Sequence, residues 1–128
     1  MEYYFSKTVN KSFENVVAKV TKELESEGFG VLTEIDVTAT LKKKLDVNFK
    51  KYLILGACNA PYAHKALQAE DKIGTMLPCN IIVQELEKDK IEIAAVNPKA
   101  SMQAVKNKDL EKIATEIGEK LQKVINRV

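Results

Sequence analysis

Two cysteines, Cys58 and Cys79, and the single histidine, His64, are the residues here whose chemistry could go beyond packing. They share one stretch, Tyr52 to Val83, with Asn59, Pro61, Gly74 and Pro78. Cys58 lies just before Asn59, a good helix N-cap. Pro61 falls in the first turn, where a missing N–H costs nothing. A thiol beside a helix N-terminus is a candidate thiolate, because the dipole and the free N–H groups favour negative charge. Cys79 follows Pro78 at the start of a later strand. If the two strands are neighbours, the pair could be a redox couple, a nucleophile with its resolving partner, or a soft-metal site. The bland reading is two small buried hydrophobes, since free cysteine is among the most buried residue types.

The other candidates are weighed the same way. The sulfurs are 21 residues apart with no CxxC, and only His64 and Met76 are nearby extra ligands, so no metal and no other cofactor is assigned. His64 could be a base for Cys58, but it sits more than one turn past the cap. A surface or half-buried structural histidine fits that position better. The free N–H groups of Ala60 to Tyr62 could hold an anion, and Tyr62 could line a pocket. Gly74, Pro78 and Asn80 are loop residues first. GxSxG, GxxxxGK[ST], HExxH and GxGxxG are all absent. The catalytic candidates are therefore Cys58 and Cys79; the ligand-binding candidates are Asn59, Tyr62, His64, Gly74 and Pro78.

The elements that must position these residues are legible from periodicity. Tyr3 to Val9 alternates and carries aromatic and β-branched residues, which predicts a strand. Asn10 or Ser12 caps a helix to about Glu27, with Phe13, Val16, Val17, Val20 and Leu24 as one apolar stripe. Gly28 ends it in the left-handed conformation. Phe29 to Val37 alternates, with Phe29, Val31, Thr33, Ile35 and Val37 on one half-buried side. Asp36 or Thr38 then caps a short helix, Ala39 to Leu45, anchored by Leu41 and Leu45. Its lysines, Lys42 to Lys44, read as a solvated face.

Lys51 to Ala57 is apolar on both sides, so each face of this strand calls for a cover: helices on one, a second layer or a partner subunit on the other. Gly56 lets something approach the backbone closely. A helix from Asn59 to about Glu70 presents Ala60, Ala63, Ala66 and Leu67, and a loop follows from Asp71 to Pro78. Asn80 to Glu87 and Lys90 to Val96 form a hairpin turning at Lys88-Asp89. Lys99 to Val105 forms a short helical turn. Asn107 or Asp109 caps a last helix to about Asn126 with a broad stripe from Leu110 to Ile125, in which Gly118 reads as a close-packing point. The sum is an α+β fold: a two-layer sandwich, a mostly antiparallel sheet with two long helices on one face.

At 128 residues the chain fits a single domain, residues 1–128, able to bury a core without staples. Its net charge of +2 is interspersed and Arg127 is the only arginine, which leaves no footprint for nucleic acid. No apolar run approaches the ~20 residues that span a bilayer, and the N-terminus lacks the pattern of a signal peptide. The expectation is a cytoplasmic protein with free thiols, no membrane partner and no nucleic-acid partner.

The central stretch also carries a recognisable pattern. Leu55-Gly56-Ala57-Cys58-Asn59-Ala60-Pro61, then Ala63-His64 and Ala66-Leu67, then Gly74 and Leu77-Pro78-Cys79-Asn80, resembles the family catalogued as domain of unknown function 302. Gly28 to Val37 resembles that family's second strand. Ala95-Val96-Asn97-Pro98 resembles its aspartate-proline turn, with Asn97 in place of the acid. The resemblance implies a TATA-binding-protein-like order, β-α-β4-α, with short extra helices, and a homodimer. It implies no settled activity. The favoured reading is a binding or interaction protein, not assigned as an enzyme, with an unknown small ligand near the CNxP and LPC motifs. The alternative is a thiol-dependent redox protein or enzyme using Cys58 and Cys79. A third reading is a subunit or chaperone-like module.

Overall fold

The computed structural model describes residues 1–128. Five strands form one sheet: β1 (Tyr4–Val9), β2 (Gly30–Asp36), β3 (Tyr52–Cys58), β4 (Cys79–Glu87) and β5 (Lys90–Val96). The helices are α1 (Phe13–Ser26), α2 (Val37–Leu45), α3 (Ala60–Ala69), α4 (Pro98–Ser101) and α5 (Lys108–Arg127). The sheet order is β1-β5-β4-β3-β2 and every pairing is antiparallel. Without the short helices the order is β-α-β4-α, the predicted two-layer α+β arrangement. No helix is long and apolar enough to cross a membrane.

The two long helices take their ends from the predicted signals. Ser12 Oγ accepts from the Asn15 N–H at 3.2 Å and caps α1. Gly28, at φ +87°, ends it: Phe29 N–H bonds Leu24 O and Gly28 N–H bonds Glu25 O, the double bond of a Schellman stop. Asn107 Oδ1 accepts from Asp109 and Leu110 and caps α5. Val16, Val20 and Leu24 of α1 and Ile117, Leu121 and Val124 of α5 then meet Leu55, Ile81, Val83, Ile91 and Ile93 of the sheet in one buried core. A second, smaller core lies under α3. It joins Ala66, Ile73, Met102, Leu110 and Ala114.

Several expectations are corrected. Asp71 to Met76 is a 3-10 helix, not a loop, because Ile73 is drawn into the second core. The face alternation in β2 breaks at a bulge between Val31 and Thr33. Val31 pairs with Ala57 but Thr33 pairs with Gly56, so the two side chains leave opposite faces and β2 is exposed along nearly its whole length. Leu45 is 65% exposed and anchors nothing; α2 is held instead by Asp36 at its N-cap and by Thr38 Oγ1, which bridges Lys50 O and Tyr52 N–H. On α3, Ala60 and Leu67 are exposed and Ala66 alone is buried. Gly118 packs toward Pro98, Asn97 and Phe5, but a methyl there would find them at 3.7, 3.8 and 4.0 Å, ordinary contact distances. The helix cost of that glycine, ~1 kcal/mol, is therefore not imposed by crowding.

The hairpin turn does fall at Lys88-Asp89. Asp89 takes φ 59° and a bulge near Leu86 absorbs the twist. Aspartate is among the few side chains that accept this conformation, which is how the turn forms without glycine.

Candidate functional site

The ends of β2, β3 and β4 meet where the CNAP and LPC motifs lie. Register pairs Gly30 with Cys58, Val31 with Ala57, and Ala57 with Cys79. Cys58 is thus one residue beyond the partner of Cys79, and neighbouring strands carry the two thiols. Both are free: Cys79 is buried and Cys58 half-buried.

Above this corner the chain leaves a cavity of about 310 Å³, lined by 17 residues of which 14 are hydrophobic. Tyr62, Ala63, Ala66 and Leu67 of α3 make one wall, and Ile113, Ala114 and Ile117 of α5 make the other. Pro98 and Met102 close one end; Phe29, Leu32, Leu77 and Pro78 lie around the rest. The cavity exists because α3 presents alanines where larger side chains would fill it.

Asn59 is the buried polar residue of this wall, 8% exposed. It stands at the N-cap of α3, yet its side chain caps nothing there. Nδ2 donates instead to Glu27 O at 3.2 Å and lies against Gly28, tying the β3-α3 junction to the end of α1. Glu27 is itself held by Arg127 at 2.7 Å, and that hydrogen bond keeps its carboxyl below the usual range. Asn59 Oδ1 receives no hydrogen bond within the chain.

The electrostatics suit an apolar lining. Burial pushes the Cys79 thiol up to about 11, and the neighbouring Cys58 adds to the effect. At neutral pH Cys79 is therefore a protonated thiol with little nucleophilic character. The Tyr62 hydroxyl is also raised, first by burial and then by the Glu116 carboxylate beside it, so it stays a donor.

Of the residues singled out in the sequence, Cys58, Cys79, Asn59, Tyr62 and Pro78 line this cavity. His64 is exposed on α3 and Gly74 is exposed in the 3-10 helix; neither lines it. No cluster of three His, Cys, Asp or Glu side chains is placed to hold a metal ion. The residues that sequence reasoning missed are Pro98, Met102, Ile113, Ala114 and Ile117. Their signal is that of any core stripe, so nothing in it marks a wall facing a void.

Comparison with known proteins agrees with the fold. The family model described as Domain of unknown function DUF302 matches residues 5–128. The crystal structure of an uncharacterized conserved protein DUF302 from Bacillus stearothermophilus is similar at 26% identity and a TM-score of 0.91, covering 99% of this chain and 98% of that one. No curated protein matches.

Proposed function

The chain belongs to the DUF302 family, a family without an assigned activity, and we propose that it is a binding protein for a small, mostly apolar molecule. The carrying observation is the cavity of about 310 Å³ at the corner where Cys58, Asn59 and Cys79 meet. That volume is at the lower end of small-molecule sites. An apolar lining favours an apolar guest, whose binding removes that surface from water. The free Oδ1 of Asn59 would orient a ligand that carries one N–H or O–H donor.

Indole, an apolar ring system with one donor, is a direct probe. It is expected to raise the melting temperature in a saturable way, because a ligand that binds only the folded state stabilises by mass action, about 2.7 kcal/mol at a hundredfold excess over Kd. Ala63→Phe, which fills the cavity from the half-buried face of α3, is expected to remove that response while leaving the unliganded protein folded. An unchanged melting temperature with indole, or an equal response in the filled variant, would sink the proposal.

A second reading, thiol chemistry at Cys58 with Cys79 as partner, is favoured by one observation: both free thiols line the same cavity. The raised Cys79 value weighs against it, because a resolving thiol must reach its thiolate.

The homodimer expectation finds its support at β2. This edge strand has one unpaired side and carries Leu32 and Ile35 at 68% and 49% exposure. An exposed edge of this kind can pair with its own copy about a two-fold axis. Sedimentation equilibrium is expected to give a dimer that Ile35→Lys converts to monomer. A wild-type monomer at high concentration would refute the arrangement.

A further inference from the structure

The cavity at the Cys58-Asn59 corner selects its guest by charge before it selects by size. No lysine, arginine, aspartate, glutamate or histidine is among its 17 lining residues. An ion entering it would leave water and find no counter-charge, so charged guests are excluded. The rim does not relieve this. Lys65 Nζ lies 5.4 Å from the centre of the Tyr62 ring, but the Glu116 and Glu119 carboxylates act on the same tyrosine. The entrance therefore offers an anion no net positive charge.

Hydrogen-bonding capacity inside is nearly confined to one atom. Asn59 is the chain's one buried polar residue, 8% exposed. Its Nδ2 is committed to Glu27 O at 3.2 Å, and its Oδ1 has no donor. That oxygen is reachable: the unpartnered side-chain oxygen that is sealed from solvent is Gln84 Oε1, elsewhere in the sheet. The Tyr62 hydroxyl has the Glu116 carboxylate as its neighbour, and the two thiols are weak partners. One buried acceptor calls for one donor. The wall is also open on one side. Phe29, Ala57, Ala66 and Ala114 are buried, whereas Leu32 of β2 and Leu67 of α3 line the same cavity at 68% and 45% exposure. These two leucines mark the mouth. Apolar surface thus continues from the interior out past the lip, and a compact ring held inside would leave both leucines in water.

We propose that the guest is a linear, uncharged alcohol of medium chain length, its hydroxyl donating to Asn59 Oδ1 and its alkyl chain leaving over Leu32 and Leu67. This names the ligand class for the apolar-binding function proposed above and rests on that reading. A fatty acid of the same length is ionised at neutral pH and meets no cation in the cavity. An alkylamine is protonated and meets no carboxylate there. An alkane fills the space but leaves Asn59 Oδ1 unanswered.

The test titrates the full-length protein, labelled with nitrogen-15, with 1-hexanol, 1-heptanol and 1-octanol. Saturable shifts are expected in the backbone amides of Ala63 and Leu67, with affinity rising up to about fourfold for each added methylene. Heptyl methyl ether, an isomer of 1-octanol without a donor, is expected to bind about fivefold more weakly. Octanoate is expected to give no saturable shift. Leu32→Thr changes an exposed side chain at the mouth; it is expected to lower 1-octanol affinity about threefold and to leave indole affinity unchanged. Indole binding without alcohol binding, no dependence on chain length, the ether or octanoate bound as tightly as 1-octanol, or undiminished 1-octanol affinity in Leu32→Thr each overturns the alcohol assignment and leaves the broader apolar-ligand reading standing. Failure of indole and of every alcohol overturns both.

Discussion

Gly56→Ala is expected to destabilise the fold by about 3 kcal/mol, the upper end of the usual cost of overpacking. Gly56 is buried in β3 between Thr33 of β2 and Asn80 of β4. An added Cβ would collide with Thr33 Oγ1 and would stand 2.9 Å from Pro78 Cγ. Neither neighbour yields easily: threonine is stiff at χ1 and the proline ring is nearly rigid. Relief therefore has to come from the backbone of β2 or from the Leu77-Pro78 segment. Thr33 is exposed, so Thr33→Ala alone is expected to change stability by less than about 0.5 kcal/mol. Combined with Gly56→Ala it is expected to recover part of the loss, because the two residues touch and their effects cannot add independently. Urea unfolding of the four proteins measures the coupling. A Gly56→Ala variant as stable as the wild type would mean that the corner is looser than its geometry states. Pro78 also lines the cavity, so the same variant should weaken indole binding.

The elements at this corner were legible to different degrees, and the reasons are physical. Periodicity locates α1 and α5 because each buries one continuous stripe, and local chemistry at Ser12, Gly28 and Asn107 marks their ends. The close approach at Gly56 was readable as a glycine at a strand end; that Thr33 and Pro78 make the approach was not, since it depends on a bulge. One extra residue at Leu32 turns Thr33 and Ile35 to the other face, and alternation in a single strand cannot reveal that its partner shifts register. Asn59 illustrates the same limit at the site. Its position after a strand and before a proline reads as a cap, which is a local role. Its actual bond reaches 32 positions back to Glu27, a tertiary choice that won over the local one. The far wall of the cavity is hidden for a related reason. Ile113, Ala114 and Ile117 belong to a helix stripe that looks like core, and only the alanines opposite them on α3 make it face a void.

Stability is expected to fall between pH 9 and pH 11 by an amount that Cys79→Ala removes. The folded thiol has its value raised from 9.0 to about 11 by burial, with Cys58 adding to it. The sign follows from linkage: the unfolded chain releases this proton first, so the stabilisation is complete below about 9 and is lost as pH climbs through the folded value. Two units correspond to about 2.7 kcal/mol. Lysines and tyrosines titrate in the same range, so the quantity to measure is the difference between wild type and Cys79→Ala, which cancels them. The variant is expected to be less stable at pH 8, having lost buried volume, and the gap should narrow as the pH is raised. Alkylation gives the kinetic counterpart. At pH 8 about one Cys79 in a thousand is ionised in the folded state, so native Cys79 is expected to resist iodoacetamide until the protein unfolds. Fast native alkylation at pH 8 together with a gap that stays constant to pH 11 would mean that the thiol is not held in an apolar wall. The cavity would then be a reactive site, and thiol chemistry at Cys58 and Cys79 would replace ligand carriage as its explanation.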